Sequence, residues 1–191
     1  MKQPTAFSQL HAAPWKNGGG VTRELVCFPA GAGFDDFTWR VSIADVHASG
    51  PFSVFPGIDR VITLLDGDGM RLEFADGTVH ALTEPLVPFA FAGDTQLHAE
   101  LLGAPSRDFN LMLRRDCARG EIAVLRVSGI MASGSDTTLL YCVAGHWQLG
   151  DCVLCTGDHV LLEDEADGMP VEMLQAGGAL LCIKINLIDR K

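Results

Sequence analysis

The chain has 191 residues and a formal net charge of −10 at pH 7, from 14 Lys and Arg against 24 Asp and Glu. This length suffices for one large domain or two small ones, and the acidic composition argues against direct binding to nucleic acid or an anionic membrane, because both favour a basic protein face. No apolar run approaches the roughly 20 residues that span a bilayer, and no apolar signal-peptide core follows Met1, so we expect a soluble cytoplasmic protein.

Short apolar runs, rich in Val, Ile, Leu, Phe and Thr, alternate along the chain with 21 Gly and 9 Pro residues. Helical periodicity is nearly absent, so the sequence predicts an all-β protein. In the strand predicted at 37–44, Trp39 shares one face with Val41, while Arg40 and Ser42 share the other, polar face. The predicted strands of the first half are 21–26, 37–44, 60–65, 70–74, 79–82, 89–94, 96–102 and 108–115.

The second half of the chain repeats the plan of the first. An apolar strand that stops at a glycine turn occurs at 62–67 and again at 140–145, and a Gly-Asp turn occurs at 91–94 and at 155–158. Strands joined by such turns without helices between them are typical of barrels and jelly rolls, which hide their sheet edges. We therefore predict two copies of one β unit, as domains 1–116 and 117–191.

A glycine-rich segment at 14–25 has the properties of a binding loop. Lys16 and Asn17 stand directly before Gly18, Gly19 and Gly20. Three glycines permit a tight bend whose backbone N–H groups a ligand can approach closely. The same glycines also fit a plain turn between two strands. A nucleotide-binding loop is excluded because no Gly-Lys-Ser/Thr ending follows.

The cysteines and histidines give little support for a metal site. Most of the six cysteines lie among apolar residues, as free thiols of a reducing compartment do. Cys152 and Cys155 could form a metal knuckle with His146 or His159. However, residues three apart on a strand point to opposite faces, and no second Cys-x-x-Cys is present. We expect neither a metal nor another cofactor.

Three blocks of the sequence, 14–25, 50–60 and 108–115, together resemble the HutD/Ves family. The resemblance implies a bicupin fold, that is, two RmlC-like jelly-roll barrels in one chain. It also implies a role in histidine utilisation, where the HutD branch is associated with regulation. A pocket in the N-terminal barrel is then expected to bind a small carboxylate such as urocanate or formylglutamate. The motifs do not separate the HutD branch from the Ves branch.

The residues themselves point to anion binding rather than metal catalysis. Catalytic cupins hold their metal with a His-x-His pair, a Glu and a later His, but residues 52–59, before the strand at Arg60, contain no histidine. Arginine binds a carboxylate through two parallel hydrogen bonds, most strongly in a partly dry site. Aromatic rings can also stack on a planar ligand. The candidate ligand-binding residues are Lys16, Asn17, Thr22, Trp39, Arg40, Phe55, Arg60 and Asn110.

Two functions fit these residues. The first is a metal-free protein that binds a small carboxylate and regulates histidine utilisation, with no nucleic acid or membrane as direct partner. The second is a metal-free hydrolase or isomerase for the same class of molecule, with Lys16 and either Asp59 or Glu24 transferring protons. A homodimer formed through sheet edges is compatible with either function.

Overall fold

A computed structural model describes residues 3–131, 134–163 and 167–188. The described residues form β-strands, turns and one 3-10 turn at Phe7–Gln9, with no α-helix among them. The prediction of an all-β protein is confirmed. Within the described ranges, no helix is long and apolar enough to cross a bilayer.

The contacts divide the chain into two compact units. The first unit is His11–Ala118, and the second combines residues 3–10 with the described residues from Arg119 onward. In the second unit Thr5 pairs with His159 through two backbone hydrogen bonds of 2.9 and 3.0 Å. The sequence assigned residues 1–10 to the N-terminal domain, because the alternation of apolar and polar residues does not show which distant strand a short segment joins.

Two antiparallel sheets form the first unit. Their strands are β1 (Ala12–Pro14), β2 (Gly20–Phe28), β3 (Trp39–Val46), β4 (Gly50–Pro51), β5 (Ile58–Asp66), β6 (Met70–Phe74), β7 (Val79–Leu82), β8 (Phe89–Ala92), β9 (Leu97–Leu101) and β10 (Ser106–Arg114). One sheet has the strand order β1-β2-β3-β10-β5-β8 and the other β4-β9-β6-β7. Apolar side chains from both sheets, among them Ile62, Leu64, Leu72 and Leu97, form one buried cluster between them.

Two four-stranded sheets form the second unit. Their strands are β11 (Ala118–Leu125), β12 (Gly129–Ile130), β13 (Thr137–Ala144), β14 (His146–Leu149), β15 (Cys152–Cys155), β16 (His159–Glu163), β17 (Pro170–Met173) and β18 (Ala179–Leu187). The order β11-β18-β13-β16 corresponds to β3-β10-β5-β8 of the first unit, and β12-β17-β14-β15 corresponds to β4-β9-β6-β7. Trp147 and Leu149 belong to the buried cluster of this unit.

Strand β10 lies between β3 and β5, and its register brings distant polar residues together. Met112 lies opposite Arg40 of β3 and opposite Arg60 of β5, while Asn110 lies opposite Ser42 and Ile62. Directly paired residues point to the same face of a sheet. The two arginines therefore share the face that carries Ile62 into the core of the first unit.

Candidate functional site

The centre of the candidate site is Arg60, a charged side chain inside the first unit. Only 7% of Arg60 is exposed, and its Nη2 donates a 2.8 Å hydrogen bond to Oδ1 of Asn110. Its Nε is buried and has no hydrogen-bond partner among the described residues. Burial lowers the pKa of Arg60 to about 10, with the charge of Asp108 acting in the opposite direction. The guanidinium is thus a cation at neutral pH, and its buried Nε–H is a donor without a partner among the described residues.

Asp108, two residues before Asn110 on β10, adds a buried carboxyl group to the pair formed by Arg60 and Asn110. The Nδ2 of Asn110 donates to Oδ1 of Asp108, whereas Oδ2 of Asp108 is buried and has no partner among the described residues. Burial raises the pKa of Asp108 to about 7, although the charge of Arg60 and the hydrogen bond from Asn110 lower it. Arg60, Asn110 and Asp108 therefore form one buried polar chain, which we call the Arg60–Asp108 chain.

Arg40 lies on the same face of the sheet but is more fully paired. Its Nε donates to Oε2 of Glu24 at 2.7 Å, and its Nη1 donates to Oγ of Ser42 at 3.3 Å. The charge of Arg40 contributes to lowering the pKa of Arg60, as expected for a nearby cation. Because Glu24 already neutralises Arg40, Arg60 is the stronger candidate for binding an external anion.

Aromatic rings surround the two guanidinium groups. The Cζ of Arg60 lies 5.0 Å from the ring centre of Phe91, 5.4 Å from that of Phe52 and 5.7 Å from that of Phe55. The Cζ of Arg40 lies 4.9 Å from the ring of Phe34, which is itself 5.7 Å from Phe55. Such contacts attract a cation to the ring face. They place Phe55 beside Arg60.

The glycine-rich segment forms a tight turn between β1 and β2. The backbone N–H of Trp15 donates to the carbonyl of Gly20 at 2.9 Å, and the indole Nε1 donates to Oγ1 of Thr22 at 2.7 Å. A Cβ atom on Gly20 would lie 2.5 Å from the carbonyl oxygen of Asp45 and 3.1 Å from the Trp15 ring. Gly20 is therefore required for close packing.

Lys16 and Asn17 at the tip of this turn do not join the Arg60–Asp108 chain in the structure. Both are exposed. The side chain of Asn17 accepts a 3.0 Å hydrogen bond from the backbone N–H of Gly19, as turn asparagines commonly do. Lys16 makes no hydrogen bond or ion pair with any other residue in the described part of the chain. The suggested proton-transfer partners of Lys16 are bonded elsewhere, Glu24 to Arg40 and Asp59 to Arg115.

Trp39 is on the wrong side of the sheet to line this site. It neighbours Arg40 on β3, and successive side chains of a strand point to opposite faces. Its ring stacks on Phe28 with the ring centres 5.8 Å apart. The alternation in the sequence already separated Trp39 from Arg40, and the structure places their side chains on opposite faces of the sheet.

The described residues contain no metal-binding cluster, that is, no group of three or more His, Cys, Asp or Glu side chains placed to hold an ion. Cys155 does lie opposite His146 in the pair of β14 and β15. Cys152 occupies the other end of β15, opposite Leu149. All six cysteines are free thiols.

Several residues of the site were absent from the sequence-based set. They are Glu24, Phe34, Ser42, Phe52, Phe91 and Asp108. Asp108 had a recognisable signal in the sequence, because it stands two residues before Asn110 in the same strand and so shares its face. The sequence contains no comparable signal for Phe34, Phe52 and Phe91, because they come from loops and strands that only the topology brings next to the two arginines.

A shallow groove of about 540 Å³ borders the site at the edge of the four-stranded sheet. Pro51, Val54, Phe74 and Leu97 contribute to its lining, as does Phe52. Phe52 also packs against the guanidinium of Arg60. This side chain therefore separates the groove from the buried cation.

Comparison with known proteins identifies the family. A sequence model of the HutD family matches residues 7–181. HutD from Pseudomonas fluorescens SBW25, in a structure described as a formate condition, is 32% identical, with a TM-score of 0.86 over 98% of this chain and 99% of that one. A conserved protein of unknown function, PA5104 from Pseudomonas aeruginosa PAO1, is 31% identical, with a TM-score of 0.81 over 96% of this chain and 98% of that one.

A more distant likeness concerns the fold alone. A cupin 2 conserved barrel domain protein from Leptotrichia buccalis matches with a TM-score of 0.58 at 8% identity, over 96% of each chain. The fold is accordingly all-β and cupin-like. Because the family model spans most of the sequence and the similarity to HutD extends over almost the whole chain, this protein belongs to the HutD family.

Proposed function

We propose that this protein binds a small carboxylate inside the first unit, without a metal, and regulates histidine utilisation through that ligand. The observation that carries the proposal is the buried Arg60 guanidinium with its unused Nε. A buried donor without a partner is unfavourable, and a buried charge more so. An anion that accepts from Nε would offset this cost.

The surroundings of Arg60 favour a flat anion that approaches from one direction. The rings of Phe52, Phe55 and Phe91 lie within 5.0–5.7 Å of Cζ. A guanidinium donates in its own plane, and a carboxylate can accept two such bonds side by side. Since Nη2 is already bonded to Asn110, the carboxylate is expected to bond Nε and the remaining N–H groups.

Membership of the HutD family supports the pathway part of the proposal. In this proposal the two units are the two cupin barrels of a bicupin, and the first holds the ligand. Urocanate and formylglutamate are the candidates that the family's association with histidine utilisation suggests. We place the protein in the cytoplasm, where such intermediates are found.

A thermal-shift screen of histidine-pathway intermediates tests this function. A ligand present at about 100 times its Kd should stabilise the protein by about 2.7 kcal/mol. Arg60→Lys keeps the charge but removes the planar fork, so it should reduce the shift strongly. Arg71→Lys is the matched control, because Arg71 is half-exposed and pairs with Glu73 and Glu100 at the surface. The proposal fails if no carboxylate raises the melting temperature, or if Arg60→Lys leaves the shift unchanged.

A second candidate is a metal-free hydrolase or isomerase acting on the same class of molecule. Asp108 favours it, because a carboxyl with a pKa of about 7 suits proton transfer at neutral pH. The purified protein would be incubated with each candidate and the products followed by chromatography. Turnover that Asp108→Asn abolishes while binding persists supports the enzyme. Absence of product at high protein concentration rejects it.

A further inference from the structure

The guanidinium of Arg60 is closed off from solvent. Arg60 lies within β5, directly opposite Met112 of β10 on one side and Phe91 of β8 on the other, and only 7% of it is exposed. The ring centres of Phe52, Phe55 and Phe91 lie 5.0–5.7 Å from its Cζ. An anion that is to reach Nε must therefore displace at least one of these rings.

Two of the three rings are packed among other side chains. The ring of Phe91 lies 5.8 Å from that of Phe74 and 5.9 Å from that of Phe89. Phe55 packs against the buried cluster around Ile58. Because protein interiors are close-packed, neither ring can turn away from Arg60 unless its neighbours move as well.

Phe52 is the ring with open space beside it. It lies between β4 and β5, outside both strands, and it forms part of the wall of the groove of about 540 Å³. An apolar cavity of about 150 Å³ accommodates a benzene molecule, so the groove has room for the phenyl group. The backbone N–H of Phe52 donates to the carbonyl of Leu97 at 3.0 Å, which anchors the main chain while the side chain can still change its rotamer.

We propose that the groove is the entrance to Arg60 and that Phe52 is its gate, a side chain that turns into the groove to admit an anion and turns back to cover it. This inference rests on the proposed anion site at Arg60 and adds the route by which that site is reached. In the closed position the ring keeps water from the guanidinium, which strengthens its hydrogen bonds to a bound anion. Phe52 therefore sets the rate at which an anion enters and leaves.

Chemical labelling of arginine in the full-length protein tests the gate without any ligand. 2,3-Butanedione modifies a guanidinium only by direct contact, and mass spectrometry of the digested protein gives a labelling rate for each arginine. Arg71, whose side chain is 46% exposed, is the internal reference for free access. Minor conformations are populated at about 10% or less, so Phe52→Ala should raise the labelling rate of Arg60 about tenfold or more. Phe52→Trp, with a larger ring, should lower that rate below the wild-type value.

Two controls separate a gate from a general loosening of the fold. Arg40 is also buried, with 9% exposed, so unfolding would speed the labelling of Arg40 and Arg60 alike, whereas an open gate speeds Arg60 alone. Phe34→Ala is the matched variant, because it removes the same side chain from a ring that lies 4.9 Å from Cζ of Arg40. It should leave the labelling rate of Arg60 unchanged.

Three results would overturn the gate. They are an unchanged Arg60 rate in Phe52→Ala, an equal acceleration of Arg40 in that variant, and an acceleration of Arg60 by Phe34→Ala in place of Phe52→Ala. Each of them leaves the anion site standing.

Sodium formate, a minimal carboxylate, tests the function on which the gate rests. It should protect Arg60 from butanedione in Phe52→Ala, because it occupies Nε. Fast labelling of Arg60 in that variant with no protection by formate or by any histidine-pathway carboxylate would reject the carboxylate function and support the entrance. The failure of one proposal is therefore distinguishable from the failure of the other.

Discussion

Replacing Asp108 by asparagine is expected to stabilise the ligand-free protein above neutral pH. Asparagine has nearly the same shape as a protonated Asp108 and can keep the hydrogen bond from Asn110. It lacks the negative charge, which is buried in the wild-type protein with only 1% of the residue exposed. The substitution therefore removes the free-energy cost of ionising a buried carboxyl and leaves the packing almost unchanged.

The magnitude follows from the pKa of Asp108, which rises from the ordinary value of 3.8 to about 7 on folding. Between these values the native state holds a proton that the unfolded chain has released, so stability falls as pH rises and levels off above about pH 7. At 1.36 kcal/mol per pH unit, the full rise in the pKa of Asp108 lowers the free energy of unfolding by roughly 4 kcal/mol, which is an upper value for a buried group. At about pH 4 the variant and wild type should have nearly equal stability.

Urea unfolding of both proteins between about pH 4 and pH 8 measures this effect. The difference in free energy of unfolding should grow with pH in favour of Asp108→Asn. Asp66→Asn controls for the loss of one negative charge from an acidic protein, and it should show no comparable gain. A variant that is no more stable than wild type at pH 8 would refute the account of Asp108 as a buried, costly carboxylate.

Two further substitutions test the turns of the first unit. Thr22→Val should lower the free energy of unfolding in urea by about 1 kcal/mol, because the Trp15 indole loses its acceptor at 2.7 Å. Thr22→Ser keeps a hydroxyl group and should retain most of that stability. Equal losses in the two variants would contradict a role for this hydrogen bond. Gly67→Ala should cost more than about 2 kcal/mol, since φ is +95° and the new Cβ would lie 2.4 Å from the carbonyl oxygen of Pro105. Gly77→Ala, with φ of +87° and open space around it, should cost about 1 kcal/mol, and similar losses in both would show that the contact with Pro105 does not matter.

Alternation along single strands was the part of the site that the sequence could predict. The pattern of β3 separates Arg40 and Ser42 from Trp39, and the register of the sheet shows the same separation. The Met70–Phe74 and Val79–Leu82 strands are found within the predicted bounds. These features depend on a few adjacent residues, so a single sequence contains them.

The pairing of Arg60 with Asn110 could not be derived in this way. The two residues are 50 positions apart, and they meet only because β10 lies between β3 and β5. The glycines beside Lys16 and Asn17 predict a binding loop, and the structure adds that Gly20 packs closely against the Trp15 ring. Local composition contains no sign of the contact between Arg60 and Asn110, which the topology creates.

The pairing of Thr5 with His159 has a consequence for how the protein is made. The ribosome synthesises residues 3–10 long before β16, the strand with which Thr5 pairs. This segment therefore has no partner strand while His11–Ala118 is being synthesised. The contiguous first unit can fold as soon as it leaves the exit tunnel. The second unit is incomplete until β18, which lies between β11 and β13, has been synthesised, so we expect it to fold after the first unit.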